Sequence, residues 1–133
     1  MTQHLSAISL VIPDYDAAIA FYVGILGFTL CEDTPLSPTK RWVTVAPPGS
    51  GAAGCRLLLA RAADEAQRAV IGRQAGGRVF LFLDTDDFDR DHARMIRGGV
   101  IFIEEPRDEP YGRVAVFADP FGNRWDLIQP TKR

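Results

Sequence analysis

One carboxylate sits where an apolar strand is expected: Asp126, in the stretch "DPFGNRWDLIQ" from Asp119 to Gln129. Strand interiors disfavour Asp, and a half-buried ionised group needs a partner, so the position has either a structural counter-charge or a ligand to meet. Pro120 presets one turn dihedral and Gly122 supplies a left-handed one, so "DPFGN" predicts a turn between two strands. Side chains alternate beyond it: Trp125 and Leu127 form a helix-packing pair, which sends Arg124, Asp126 and Ile128 to the opposite face, the inside of a curved sheet. Four arginines on adjoining strands, Arg41, Arg56, Arg113 and Arg124, are candidates to pair with Asp126 or to meet an anionic ligand in bidentate fashion. Trp42 and Tyr111, at strand starts, are placed to stack on a planar ligand. With a raised proton affinity, Asp126 would serve as a general base beside a carbonyl, an arginine stabilising the enolate.

Other chemistries find little support. Cys31 and Cys55 form no CxxC motif, so free thiols in a reducing compartment are expected. His92 falls on a helix stripe where an aromatic residue would pack, and GxSxG, HExxH, P-loop and dinucleotide fingerprints are absent from the sequence. "GILGF" ends a helix rather than opening one, which argues against a phosphate loop. Fifteen basic residues are scattered among seventeen acidic ones, with a formal charge of -2, which gives no footprint for nucleic acid. "MTQHLSAISLVIPD" has neither a cationic leader nor a long apolar run, so a soluble cytoplasmic protein without a membrane partner is expected.

The elements that must position these residues are written twice. At an offset of 73, Asp14 matches Asp87, Asp16 matches Asp89 and Ala20 matches Ala93; at 72, Gly27 matches Gly99 and Glu32 matches Glu104, so one residue is lost inside the helix. "RWVTVA" then matches "GRVAVFAD", and "CRLLLA" matches "RWDLIQ". Each half reads as a strand, a helix and three further strands. In the first strand Ile8, Leu10 and Ile12 are bulky while Ala7, Ser9 and Val11 are smaller, a period-two pattern whose bulky face should carry the helix. That helix starts at Asp14 and stops at Gly27; its counterpart is capped by Asp86 or Asp87, buries Phe88, His92, Met95 and Ile96, and ends at Gly98 and Gly99. Module one spans about residues 5–60 and module two about 78–129 of a single domain covering 1–133, with a linker or short surface helix over about 61–77.

This repeat, the "PDYDAAIAFYVGILGF" entry and the "DPFGNRWDLIQ" ending resemble the vicinal oxygen chelate superfamily, which includes glyoxalase I, extradiol dioxygenases and bleomycin resistance proteins. The resemblance implies an α+β fold in which paired βαβββ modules form a cupped eight-stranded mixed sheet with helices on its outer face. In the family's metalloenzymes, ligands come from inward positions on equivalent strands of the two modules. Here those positions fall on Ala7, Leu58, Phe80 and Asp126, and only Asp126 carries a donor. A divalent ion needs about four to six ligands, so the inherited metal site is expected to be dismantled and no cofactor is predicted. His4 has the opposite strand parity from Ala7 and is expected to point with Ile8 and Leu10.

The expected cavity is therefore apolar with a few polar groups. Its ligand-binding candidates are Ser9, Trp42, Phe80, Phe82, Tyr111, Arg113 and Arg124, with Asp126 as the anionic feature and the candidate catalytic residue. The resemblance implies three functions: a metal-free small-molecule binder of the bleomycin-resistance type acting as a homodimer, a metal-dependent lyase or dioxygenase acting on vicinal oxygens, or a metal-free acid/base enzyme using Asp126.

Overall fold

The computed structural model describes residues 1–131. The chain divides into two compact units, Met1–Ile71 and a second beginning at Gly72. The first contains β1 (Ala7–Ile12), α1 (Tyr15–Ile19) running into a π-helical turn (Ala20–Ile25), β2 (Thr29–Pro35), β3 (Arg41–Ala46), β4 (Arg56–Arg61) and α2 (Glu65–Val70). The second contains β5 (Leu81–Asp84), α3 (Phe88–Arg97), β6 (Ile101–Phe102), β7 (Arg107–Glu109), β8 (Gly112–Ala118) and β9 (Arg124–Pro130).

Both sheets are mixed. The first runs β1-β4-β3-β2, with β1 parallel to β4 and the other pairs antiparallel. The second runs β5-β9-β8-β6, with β5 parallel to β9 and β7 pairing beside β6 on β8. The registers coincide. Ser9 opposes Leu58 and Thr44 opposes Leu58 in the first sheet; Phe82 opposes Asp126 and Val116 opposes Asp126 in the second. The repeat thus carries an offset of 73 to the helix, 72 through the middle strand (116 minus 44) and 68 on the last (126 minus 58).

Where eight strands are expected, the described residues form nine. The counterpart of β2 is split into β6 and β7, because Pro106 between them has no N–H to give the ladder.

Helix starts follow the sequence closely. The Asp14 carboxylate accepts from Ala17 N at 2.8 Å, and Asp87, rather than Asp86, accepts from Arg90 N at 3.1 Å. Asp64 caps α2 in the same way, at Gln67 N. The residue lost inside the repeat has a structural explanation. Leu26 N donates to Phe21 O, five residues back, at 2.9 Å, so the first helix absorbs its extra residue in a π turn while α3 stays regular.

Leu10 and Ile12 are fully buried together with Ala18, Phe21, Tyr22, Val43, Val45, Leu57 and Leu59 in the first unit. In the second, Phe117 stacks on Trp125 at 5.7 Å, Phe88 and Met95 are buried, and His92 lies between Phe88 at 5.3 Å and Phe102 at 4.4 Å. His92 is therefore a packing residue. Ile96 departs from the expected stripe and is 52 % exposed, because one step past Met95 turns it about 100° away from the core.

Candidate functional site

The "DPFGN" turn is held by a buried polar clasp. Asp119 accepts from Phe121 N and Asn123 N at 2.9 Å and from Asn123 Nδ2 at 2.8 Å. Asn123 Oδ1 in turn accepts from Gly72 N and Gln74 Nε2, both at 2.9 Å. Gly72 has φ +82°, and a Cβ there would meet Phe121 O at 2.9 Å, so only glycine fits this approach. The clasp fixes where β9 begins and hence which way Asp126 faces.

Asp126 lies on the face of the second sheet opposite the buried Trp125 and Leu127, flanked by Phe82 on β5 and Val116 on β8. It is only 7 % exposed, and its Oδ1 has no hydrogen-bond partner. Burial pushes its carboxyl above the usual carboxylate range; the Arg107 charge opposes that shift and Glu104 adds to it. Arg107 is itself held by Glu104 at 2.6 Å and Glu109 at 2.9 Å, and bonds to Tyr111. Around Asp126 the face is apolar and open: Phe82 is 63 % and Ile101 68 % exposed, and Phe80 is half-buried. Arg124 shares this face through its pairing with Ala118, and Tyr111 is exposed at the turn before β8.

Arg113 is not among these residues. It opposes Gln129 on the helix side of the sheet, lies 5.2 Å over the Phe88 ring and pairs with Asp89 at 3.7 Å and Asp108 at 3.0 Å. Arg41 repeats the arrangement in the first unit: it lies 5.1 Å over the Tyr15 ring and pairs with Asp16 at 2.9 Å and Asp33 at 2.7 Å. Tyr15 and Phe88 are 73 apart, as are Asp16 and Asp89, and Arg41 and Arg113 are 72 apart, so this is one interaction written twice. Both arginines tie the middle strand to the first turn of the helix.

The open face of the first sheet carries Ala7, Ser9, Trp42, Thr44, Arg56 and Leu58. Glu32 accepts there from Thr44 Oγ1 at 3.1 Å and from Arg56 Nη1 at 3.2 Å, beside a hollow of about 190 Å³ lined also by His4, Ser6, Ala7 and Trp42. His4 therefore does not point with Ile8 and Leu10. It precedes β1, so the strand's alternation does not reach it. Sequence reading passed over Glu32, Glu104 and Arg107, although the Glu32–Glu104 match in the repeat marked two of them.

The positions that would hold a family metal do not fit one. Ala7, Leu58 and Phe80 offer no donor atom, and among the described residues no three His, Cys, Asp or Glu side chains cluster as metal ligands. Nor is any helix among these residues long and apolar enough to cross a membrane, which says nothing of β-barrels.

With its βαβ-based units and an open sheet face in each, the chain belongs to the Glyoxalase/Bleomycin resistance protein/Dioxygenase superfamily, whose profile matches residues 4–127. It is 55 % identical over 130 residues to an uncharacterized protein of Shewanella frigidimarina (strain NCIMB 400), covering 97 % of this chain and 95 % of that one. Among solved structures it is similar to TnmS3, described as an antibiotic binding protein from Streptomyces sp. CB03234, with 35 % identity, a TM-score of 0.77 and 98 % of each chain covered. UcmS2 is similar at 29 % identity with a TM-score of 0.82, covering 96 % of this chain and 98 % of that one.

Proposed function

We propose that this protein binds a small, largely apolar molecule without a metal ion, using the open face of the second sheet, and that Asp126 is its polar anchor. The observation that carries the reading is the buried, unpartnered Oδ1 of Asp126 amid exposed Phe82 and Ile101. A ligand hydroxyl, amine or cation would satisfy that oxygen, and the rings would cover the rest of the ligand. Ala7, Leu58 and Phe80 at the family's ligand positions support the absence of metal, and the similarity to TnmS3, an antibiotic binding protein, supports small-molecule binding. The contacts assigned to the ligand are Phe80, Phe82, Tyr111 and Arg124 of the second unit; Ser9 and Trp42, on the open face of the first sheet, are assigned to ligand binding within their own unit. We place the protein in the cytoplasm as a homodimer, which sedimentation velocity tests.

Elemental analysis of protein purified without chelators or an affinity tag tests the absence of metal: a substoichiometric content is expected, and stoichiometric zinc, iron, nickel or manganese would restore the metal-dependent lyase or dioxygenase reading. Binding itself is tested by native mass spectrometry for co-purified compounds and by quenching of Trp fluorescence with a panel of planar aromatic antibiotics. A second reading, a metal-free acid/base enzyme, draws on the raised proton affinity of Asp126, which suits abstraction of a proton beside a carbonyl. Turnover whose rate rises with pH as Asp126 ionises and vanishes in Asp126→Asn would favour it.

A further inference from the structure

We propose that the first unit holds a separate site for a small oxyanion attached to an apolar group, such as an aryl carboxylate or aryl phosphate, in the cavity beside Tyr15. This cavity of about 350 Å³ lies where the end of β4, the start of α1 and the β2–β3 turn meet, and is lined by Tyr15, Lys40, Arg41, Leu58, Ala60 and Arg61, among others. Its volume falls in the lower part of the range of about 300–1,000 Å³ found for small-molecule sites. Its lining includes three cationic side chains and no carboxylate. Arg41 is committed to Asp16 and Asp33, but Lys40 and Arg61 form no ion pair among the described residues. The Arg61 guanidinium lies 5.7 Å from the Tyr15 ring centroid, which orients its donors. Tyr15 is 7 % exposed, and its hydroxyl accepts from Arg41 N at 3.1 Å, which leaves its own proton for an incoming oxygen. Leu58, Ala60, Ala62 and Ala63 supply apolar wall for the rest of a ligand.

The second unit provides an internal control. Through the repeat, Tyr15 corresponds to Phe88 (15 plus 73), Lys40 to Gly112 (40 plus 72) and Arg61 to Gln129 (61 plus 68), so the hydroxyl and both free cations are missing there. In their place, Gln129 Oε1 accepts from Phe88 N at 2.7 Å and caps the start of α3. The ion pairs between the middle strand and the helix start, Arg41 with Asp16 and Arg113 with Asp89, are retained in both units. Tyr15, Lys40 and Arg61 line the cavity of the first unit, and the scaffold does without their polar groups in the second. Donation to an oxyanion is the chemistry they share: bidentate from the Arg61 guanidinium, as a point charge from Lys40 and as a hydroxyl from Tyr15.

The test is a titration of the full chain with benzoate and with phenyl phosphate, followed by NMR shifts or calorimetry. Saturable binding of at least one probe is expected, and the tighter one identifies the oxyanion. Arg61→Ala should weaken it about tenfold or more, Lys40→Ala and Tyr15→Phe less, and Arg97→Ala, which removes an equal charge from exposed α3, should leave it unchanged. Arg61 is exposed, so its variant should fold as the wild type does. Failure of both probes to saturate at millimolar concentrations, or equal weakening by Arg97→Ala, would overturn the proposal.

Discussion

Asp126 is buried with one carboxylate oxygen unpartnered, which costs the fold stability and gives it a handle. Its proton affinity is raised in the folded chain, so the folded state binds more protons than the unfolded state as pH rises through the carboxylate range. Stability contributed by the neutral carboxyl is therefore present below the unfolded value and is lost as pH rises through the higher folded one. Asp126→Asn removes that loss. The variant should be more stable than the wild type at pH 8, on the order of 1 kcal/mol, with the difference fading toward pH 3, as urea denaturation across pH would show. The same variant should weaken ligand binding about tenfold, which separates a functional from a structural carboxylate. Asp126 was legible because its parity is set by Trp125 and Leu127 and because a charge in an apolar run is conspicuous. Arg41 and Arg113 were not. Val43, Thr44, Val45 and Ala46 are all buried, as are Val114 to Phe117, so β3 and β8 lack the alternation of polar and apolar residues that would reveal an arginine's side.

Among the elements, the two helices show how local rules and their exceptions coexist. Asp14→Ala and Asp87→Ala should each cost about 1 kcal/mol by thermal denaturation, since each carboxylate satisfies one free N–H in the first turn. The π turn makes a sharper forecast. Gly24 is exposed, with open space around it, so deleting it should let the first helix become regular and change stability by no more than about 1 kcal/mol. Deleting Ala93 from the already regular α3 should rotate Met95 out of the core and cost roughly 2–5 kcal/mol; urea midpoints of the two variants compare them directly. The sequence showed that one residue was lost between the copies, but a π turn has no residue signature of its own, so its location needed coordinates. The Asn123 clasp was likewise hidden. "DPFGN" announces a turn, yet that Asn123 would hold Gly72 and Gln74, about fifty residues away, follows only from the fold. Asn123→Ala should cost roughly 2–3 kcal/mol, because it takes the acceptor from the Gly72 amide and one of the donors from the Asp119 carboxylate.

For the whole molecule, the repeat was the most informative reading, since similarity between two copies offset by some 73 positions constrains every strand at once. It established the element order, whereas the offset of 68 on the last strand emerges only from the strand pairing. It missed the split of β2's counterpart, where Pro106 outweighs the pattern inherited from the first copy. If the chain works without metal, prolonged dialysis against a chelator should leave its thermal midpoint unchanged; a fall of several degrees, reversed by zinc or iron, would count against that reading. The open face around Phe82, Ile101 and Ile103 also bears on behaviour in bulk solution. A molecule with a formal charge of only -2 has little repulsion to keep such faces apart. Strongly hydrated salts such as ammonium sulfate should drive these patches together at modest concentration, and a bound guest that covers them should shift the onset of turbidity upward.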